Sequence, residues 1–159
     1  MTTQPPTPET IERLRAAVFR SFVMRAGMEL DLFTPLTEGP MNVVELAQAL
    51  NVGSTKLEPL LYSLVDAGLL TVEGERFSNT PESDHFLVRG KPTYMGERHH
   101  QFSHQWNVTL KTSESIRSGA AQSKVDYHDR TPEQEESIYR GLHPGTIAAG
   151  RMLTTMYDF

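Results

Sequence analysis

Apolar residues recur at helical spacing from Ile11 through Leu14 and Val18 to Phe22, which places them on one face of an α-helix. Thr7 offers a cap, and Pro8 suits the first helical position, where a missing N–H costs nothing. The apolar pattern runs on past Gly27 through Leu30 to Phe33, so a long amphipathic helix is predicted, with a bend allowed at the glycine. Thr34-Pro35 and Glu38-Gly39-Pro40 then break the chain. Asn42 is positioned to cap a helix of about two turns carrying Val43, Leu46, Ala47 and Leu50. Thr55-Lys56-Leu57-Glu58 has the form of a capping box, and Leu57, Leu60, Leu61 and Leu64 line the face of the helix it opens. Pro59, one turn in, removes only the first intrahelical bond of such a helix.

Gly68 is a natural left-handed stop. Leu69 to Glu73 then reads as a strand, Gly74-Glu75 as a tight turn and Arg76 to Thr80 as the returning strand. Two short helices followed by a hairpin predict a winged helix-turn-helix within a mainly α fold, with further helices before and after it. Pro81 to Val88 predicts a helical turn. Residues 93–118 are mostly helical, with Tyr94, Met95, Phe102, Trp106, Leu110 and Ile116 in the pattern, and Gly119 closes them. Residues 120–130 are polar and irregular. Thr131-Pro132 opens another helix by the logic of Thr7-Pro8, and Ile147 to Tyr157 is again helical.

Charge changes the reading of the winged helix. Such folds most often place the second helix in the major groove of DNA, which makes a DNA-binding regulator the alternative function. The outward face of the second helix, however, offers Lys56, Glu58, Tyr62, Ser63 and Asp66, and the wing adds Glu73 and Glu75 against Arg76. The net charge of −5 gives no basic footprint for phosphates. The expectation is therefore a packing module that binds no nucleic acid. No apolar run approaches the roughly 18 to 20 residues of a membrane span. The opening Met1-Thr-Thr-Gln-Pro-Pro-Thr-Pro lacks the features of a signal peptide, and the chain has no cysteine. These features fit a cytoplasmic protein.

The order Glu29-Leu30-Asp31-Leu32-Phe33, Leu36, Gly39-Pro40, Glu45-Leu46-Ala47, Leu50, Leu57, Leu60-Leu61, Leu64, Gly68-Leu69-Leu70 and Phe77-Ser78-Asn79-Thr80 resembles the dimerisation domain of the S-adenosylmethionine-dependent aromatic and polyketide O-methyltransferases. Trp106, Leu110 and Ser118-Gly119 resemble the segment that links this domain to the catalytic domain. The resemblance covers roughly residues 15–120. Residues 1–8 read as a disordered lead-in from their own composition; the resemblance implies a first helix and winged-helix dimerisation domain at 9–90, and a helical segment at 91–159 that would join a Rossmann-like domain. It further implies a homodimer through residues 9–36 and parts of 93–118, with Ile11, Leu14, Val18 and Phe22 at the interface. The parent would use S-adenosylmethionine to methylate a hydroxyl of a small molecule, aromatic or polyketide in character.

The chemistry of that parent is expected outside these 159 residues. No Gly-rich turn follows a strand, and Gly141, Gly145 and Gly150 read as loop and helix-end glycines. By the resemblance, the catalytic histidine and the Val-Asp-x-Gly-Gly-Gly type turn lie beyond a segment like Met152 to Phe159. Hence no catalytic residue and no cofactor ligand is assigned in this chain, and the chain alone is expected to be inactive and to bind no S-adenosylmethionine. His100 and His104 are one turn apart but lack the glutamate of H-E-x-x-H and a third ligand, so no metal is expected. The resemblance makes His100, Trp106, Tyr139, Leu142 and His143 candidates for the acceptor-pocket wall, although the family commonly has Phe and Met where this chain has Ile138, Tyr139 and Leu142. Packing in a core or interface is the alternative for Trp106, Tyr139 and Leu142. Glu133 to Glu136 read as charge favoured at a helix start.

Overall fold

A computed structural model describes residues 6–122 and 131–157, except for the side chains of Gln134 and Ser137. Most of the expected lead-in, and most of the polar stretch 120–130, lie outside the described residues. Helix α1 (Glu9–Glu29) leads through a 3₁₀ turn (Pro35–Glu38) to α2 (Val43–Leu50) and α3 (Ser54–Asp66). The hairpin β1 (Leu70–Glu73) and β2 (Arg76–Asn79) follows, then α4 (Pro81–Phe86), α5 (Arg98–Thr109), α6 (Thr112–Ser118) and α7 (Pro132–Met156). The fold is thus mainly helical around a small antiparallel wing, as the pattern predicts.

The wing pairs Leu70 with Asn79 and Glu73 with Arg76. It gains a third arm at Met41, whose N–H donates to the Phe77 carbonyl at 3.1 Å while the Phe77 N–H donates back at 2.8 Å. Leu32, Phe33, Leu46, Leu61, Leu64, Leu70 and Phe77 form the centre of the core, each essentially removed from solvent. Burying side chains of this size is worth about 1.5–3 kcal/mol each. The core therefore sits between the end of α1, the α2–α3 pair and the wing.

Three helices end in the same way, and this explains where the sequence pattern misleads. After α1, the Leu32 N–H donates to the Gly27 carbonyl at 3.0 Å and the Asp31 N–H to the Met28 carbonyl at 3.2 Å, with Asp31 at φ 53°. This is a Schellman cap with an aspartate in the left-handed position. Asn51 (φ 54°) and Gly68 (φ 77°) play the same part after α2 and α3. The first helix therefore stops at Glu29 rather than reaching Phe33, because the reversal lets Leu32 and Phe33 enter the core. Gly27 marks close packing, since a Cβ there would stand 3.1 Å from two carbons of the Phe33 ring.

Other helix starts also depart from expectation. Pro8 occupies the cap position of α1, and no side chain caps it. The capping box lies at α2 instead of α3: the Asn42 side chain accepts from the N–H groups of Val44 and Glu45, and the Glu45 carboxylate accepts from the Asn42 N–H at 2.8 Å. Helix α3 starts at Ser54, behind Gly53, so Thr55 is already helical and Pro59 sits deeper than one turn. Finally, Gly141, Gly145 and Gly150 lie inside α7, which runs unbroken for 25 residues instead of closing and reopening before Ile147. Gly141 earns its place by proximity, as a Cβ there would meet Arg98 Cγ at 3.1 Å.

Candidate functional site

The expected interface residues share one open face. Ile11, Leu14, Val18 and Phe22 are 69%, 59%, 50% and 47% exposed, and Phe19, also 60% exposed, widens the stripe. Only the far end of α1 is held down among the described residues. There the Phe22 ring meets Trp106 edge-on at 4.7 Å, and Arg25 Nε donates to Ser103 Oγ at 2.5 Å. The N-terminal half of α1 thus presents large apolar side chains that its own fold leaves uncovered, the kind of patch that marks an interaction surface.

A groove of about 800 Å³ runs between α7 and the segment entering α5. Arg89, Lys91, Pro92, Tyr94 and Glu97 line one side; Pro132, Glu135, Tyr139, Arg140, His143 and Pro144 are on the other. Of the five candidate wall residues, Tyr139 and His143 line this groove. His100 stands outside it, exposed, with Nε2 4.0 Å from the Glu97 carboxylate. Trp106 is half-buried between Phe22 and Phe102. Leu142 follows Gly141 and is not a lining residue of the groove. The five candidates therefore fall into separate places.

Arg89, Tyr94 and Glu97 of the groove belong to a charged cluster that sequence reasoning missed. Arg89 Nε lies 3.1 Å from Asp31 and Nη1 3.0 Å from Glu97, with the guanidinium 5.4 Å from the Tyr94 ring centre. The Thr34 hydroxyl donates to Asp31 at 2.6 Å and accepts from the Arg89 N–H at 2.9 Å. Burial pushes the Tyr94 phenol up, against the pull of Arg89. Burial works against the charge on Arg89 as well, but Tyr94, Asp31 and Glu97 outweigh it and hold its pKa above the ordinary value. The other cations are also engaged, Lys91 with Asp84 and Arg140 with Glu136, both at 2.5 Å. Asp31 was the available signal: a carboxylate inside the apolar run Leu30–Phe33 has to find a partner or solvent.

The face a DNA reader would use is acidic and internally paired. Lys56, Glu58, Tyr62 and Asp66 are exposed on α3, and Asp66 takes Arg20 of α1 at 3.1 Å. Arg76, the basic residue of the wing, turns to Glu45 at 3.0 Å and to the Pro40 carbonyl. His100 and His104 are both exposed, and among the described residues no three metal-ligating side chains lie together. Among the described residues, too, no helix is long and apolar enough to cross a membrane.

Comparison with known proteins adds to this geometry. Residues 13–89 match the family model of the O-methyltransferase dimerisation domain. Over 157 residues the chain is 29% identical to the 3-hydroxy-5-methyl-1-naphthoate 3-O-methyltransferase of Streptomyces sahachiroi, covering 95% of this chain and 45% of that protein. It is 28% identical over 133 residues to the N,N-dimethyltransferase OxyT of Streptomyces rimosus, covering 80% and 39%. The chain thus spans less than half the length of these curated relatives. Human N-acetylserotonin methyltransferase, solved in complex with S-adenosylmethionine, shares the fold with a TM-score of 0.75 at 22% identity, over 99% of this chain and 51% of that one. Residues 13–89 of this chain thus correspond to an O-methyltransferase dimerisation domain, in the winged-helix fold described above.

Proposed function

We propose that this chain is the dimerisation and acceptor-lining part of an S-adenosylmethionine-dependent O-methyltransferase that acts on a hydroxyl of a small aromatic or polyketide molecule. The observation that carries the reading is the bare apolar stripe Ile11, Leu14, Val18 and Phe22 on a fold matched to a dimerisation domain. A second copy laid along α1, and along parts of 93–118, covers that stripe. Tyr139 and His143 in the groove, with Trp106, Leu142 and His100 outside it, supply the protein side of the acceptor wall. The naphthoate relative supports an aromatic acceptor, and the dimethyltransferase relative makes an amine the competing acceptor group.

The described residues do not fit the cofactor themselves. The strands form a wing hairpin, and Gly141, Gly145 and Gly150 lie within a helix, so among the described residues no Gly-rich turn leads from a strand into a helix to receive a nucleoside. The catalytic base and cofactor site belong to the other part of the parent. Nucleic acid has no role, because the exposed carboxylates of α3 and the wing repel phosphate.

Light scattering at micromolar concentration is expected to give twice the chain mass, and a stable monomer would overturn the dimer. Calorimetry with S-adenosylmethionine is expected to show no binding to this chain, whereas tight stoichiometric binding would sink the assignment of the cofactor to the other part. A sequence-dependent gel shift that weakens with salt would favour the DNA reader instead.

A further inference from the structure

Helices α1 and α5 lie side by side and run in opposite directions. Phe22 meets Trp106, while Arg25, three residues on along α1, meets Ser103, three residues back along α5. Residues four apart share a helix face. The same alignment, carried one turn outward, therefore brings Val18 level with Leu110, since Val18 precedes Phe22 and Leu110 follows Trp106 by four residues. The Leu110 N–H still donates to the Trp106 carbonyl at 3.0 Å, so the helical register holds through Leu110. Its side chain is nonetheless 80% exposed, and that of Val18 50%. Between the two helices, above half-buried Trp106, the chain thus leaves an open apolar trough alongside the bare stripe of α1.

We propose that Leu110 forms the far wall of a docking surface for the first helix of a second copy, which lies antiparallel in the trough between α1 and α5. The inference rests on the dimer reading above and deepens it by naming the second wall of the interface and the direction of the partner helix.

One chain carries both halves of this interface, the apolar ridge from Ile11 to Phe22 and the trough beside it. A two-fold axis brings each ridge to the other copy's trough, and a pairing of that kind closes at two copies. The match to a dimerisation domain starts at residue 13 and so takes in most of α1. Direction follows from where α1 already has a wall. Helix α5 stands against its Phe22 end. An antiparallel partner, centred on the middle of the stripe, lays its uncovered Ile11 over Phe22 and Trp106, and its Leu14 beside Val18, Phe19 and Leu110. A parallel partner would instead stack two Ile11 ends that α5 does not reach, with their helix dipoles aligned rather than opposed.

The chain has no cysteine, so introduced thiols cross-link only where they are placed. Leu14→Cys and Leu110→Cys chains, mixed to exchange subunits and then oxidised, are expected to give a species of twice the chain mass on a denaturing gel. Leu14→Cys mixed with Lys56→Cys should give none. Leu110→Asp should weaken the dimer at least about tenfold in sedimentation equilibrium, the scale set by burying a leucine. Its circular dichroism should match the native chain, because the side chain is exposed in the single copy. Ile116→Asp, in an equally open residue of α6 that is out of step with Trp106 and Leu110, should leave the dimer intact. Absence of the Leu14–Leu110 cross-link, one that forms as readily with Lys56→Cys, or equal weakening by Leu110→Asp and Ile116→Asp would overturn the trough. A dimer that is lost in Leu14→Asp/Val18→Asp but keeps native affinity in Leu110→Asp sinks the trough and leaves the dimer reading standing. A native chain that stays monomeric at micromolar concentration overturns both.

Discussion

Gly27→Val is expected to destabilise the chain by about 2 kcal/mol, read from the urea midpoint, because the added methyls meet a Phe33 ring that has no solvent to retreat into. A gain would show that the α1 end can shift. At the surface, Glu45 carries a pH signature. Its carboxyl is held below the ordinary value, first by the Asn42 N–H, which outweighs an opposing desolvation, and further by Arg76. A folded pKa below the unfolded one stabilises at higher pH, and the contribution fades as pH falls through the carboxylate range. The native chain should therefore outlast Glu45→Gln at pH 7, and the gap in urea midpoint should close below pH 4.5. A gap independent of pH would assign the effect to packing. Residues such as Leu57, Leu61 and Leu64 are legible in the sequence because burial imposes a period. Asp31 and Thr55 are not, since whether a short polar residue caps, ends or continues a helix depends on the backbone angles around it.

At the scale of elements, α2, α3 and the hairpin were readable, for each carries its own punctuation in Asn42, Gly68 and Gly74. The ends of α1 and the unity of α7 were not. A leucine and a phenylalanine continue a helical stripe equally well as residues that fold back into the core, and glycines that look like breaks are tolerated where a neighbouring helix comes close, as Arg98 does at Gly141. The groove was half legible, through Tyr139 and His143; the cluster of Asp31, Arg89 and Glu97 beside it joins positions up to 66 residues apart that no periodicity connects. For α1 itself, Leu14→Asp with Val18→Asp is expected to yield a monomer by light scattering with an unchanged far-ultraviolet circular dichroism spectrum, as both side chains are exposed in the single chain. A variant that stays dimeric would move the interface away from α1.

For the whole molecule, the division of labour follows from where apolar surface is spent. The winged helix keeps its leucines inside, while α1 and the latter part of α7 put Ile11, Phe19, Met152, Leu153 and Met156 outside. A chain arranged in this way relies on company. The uncovered stripe on α1 then has a thermodynamic corollary: if the second copy binds only the folded form, mass action ties folding to the amount of protein present. The thermal midpoint should climb as the chain is concentrated from nanomolar to micromolar, and the aspartate pair in α1 should flatten that climb. A native midpoint that ignores dilution would mean that the helix meets its partner without drawing any stability from it.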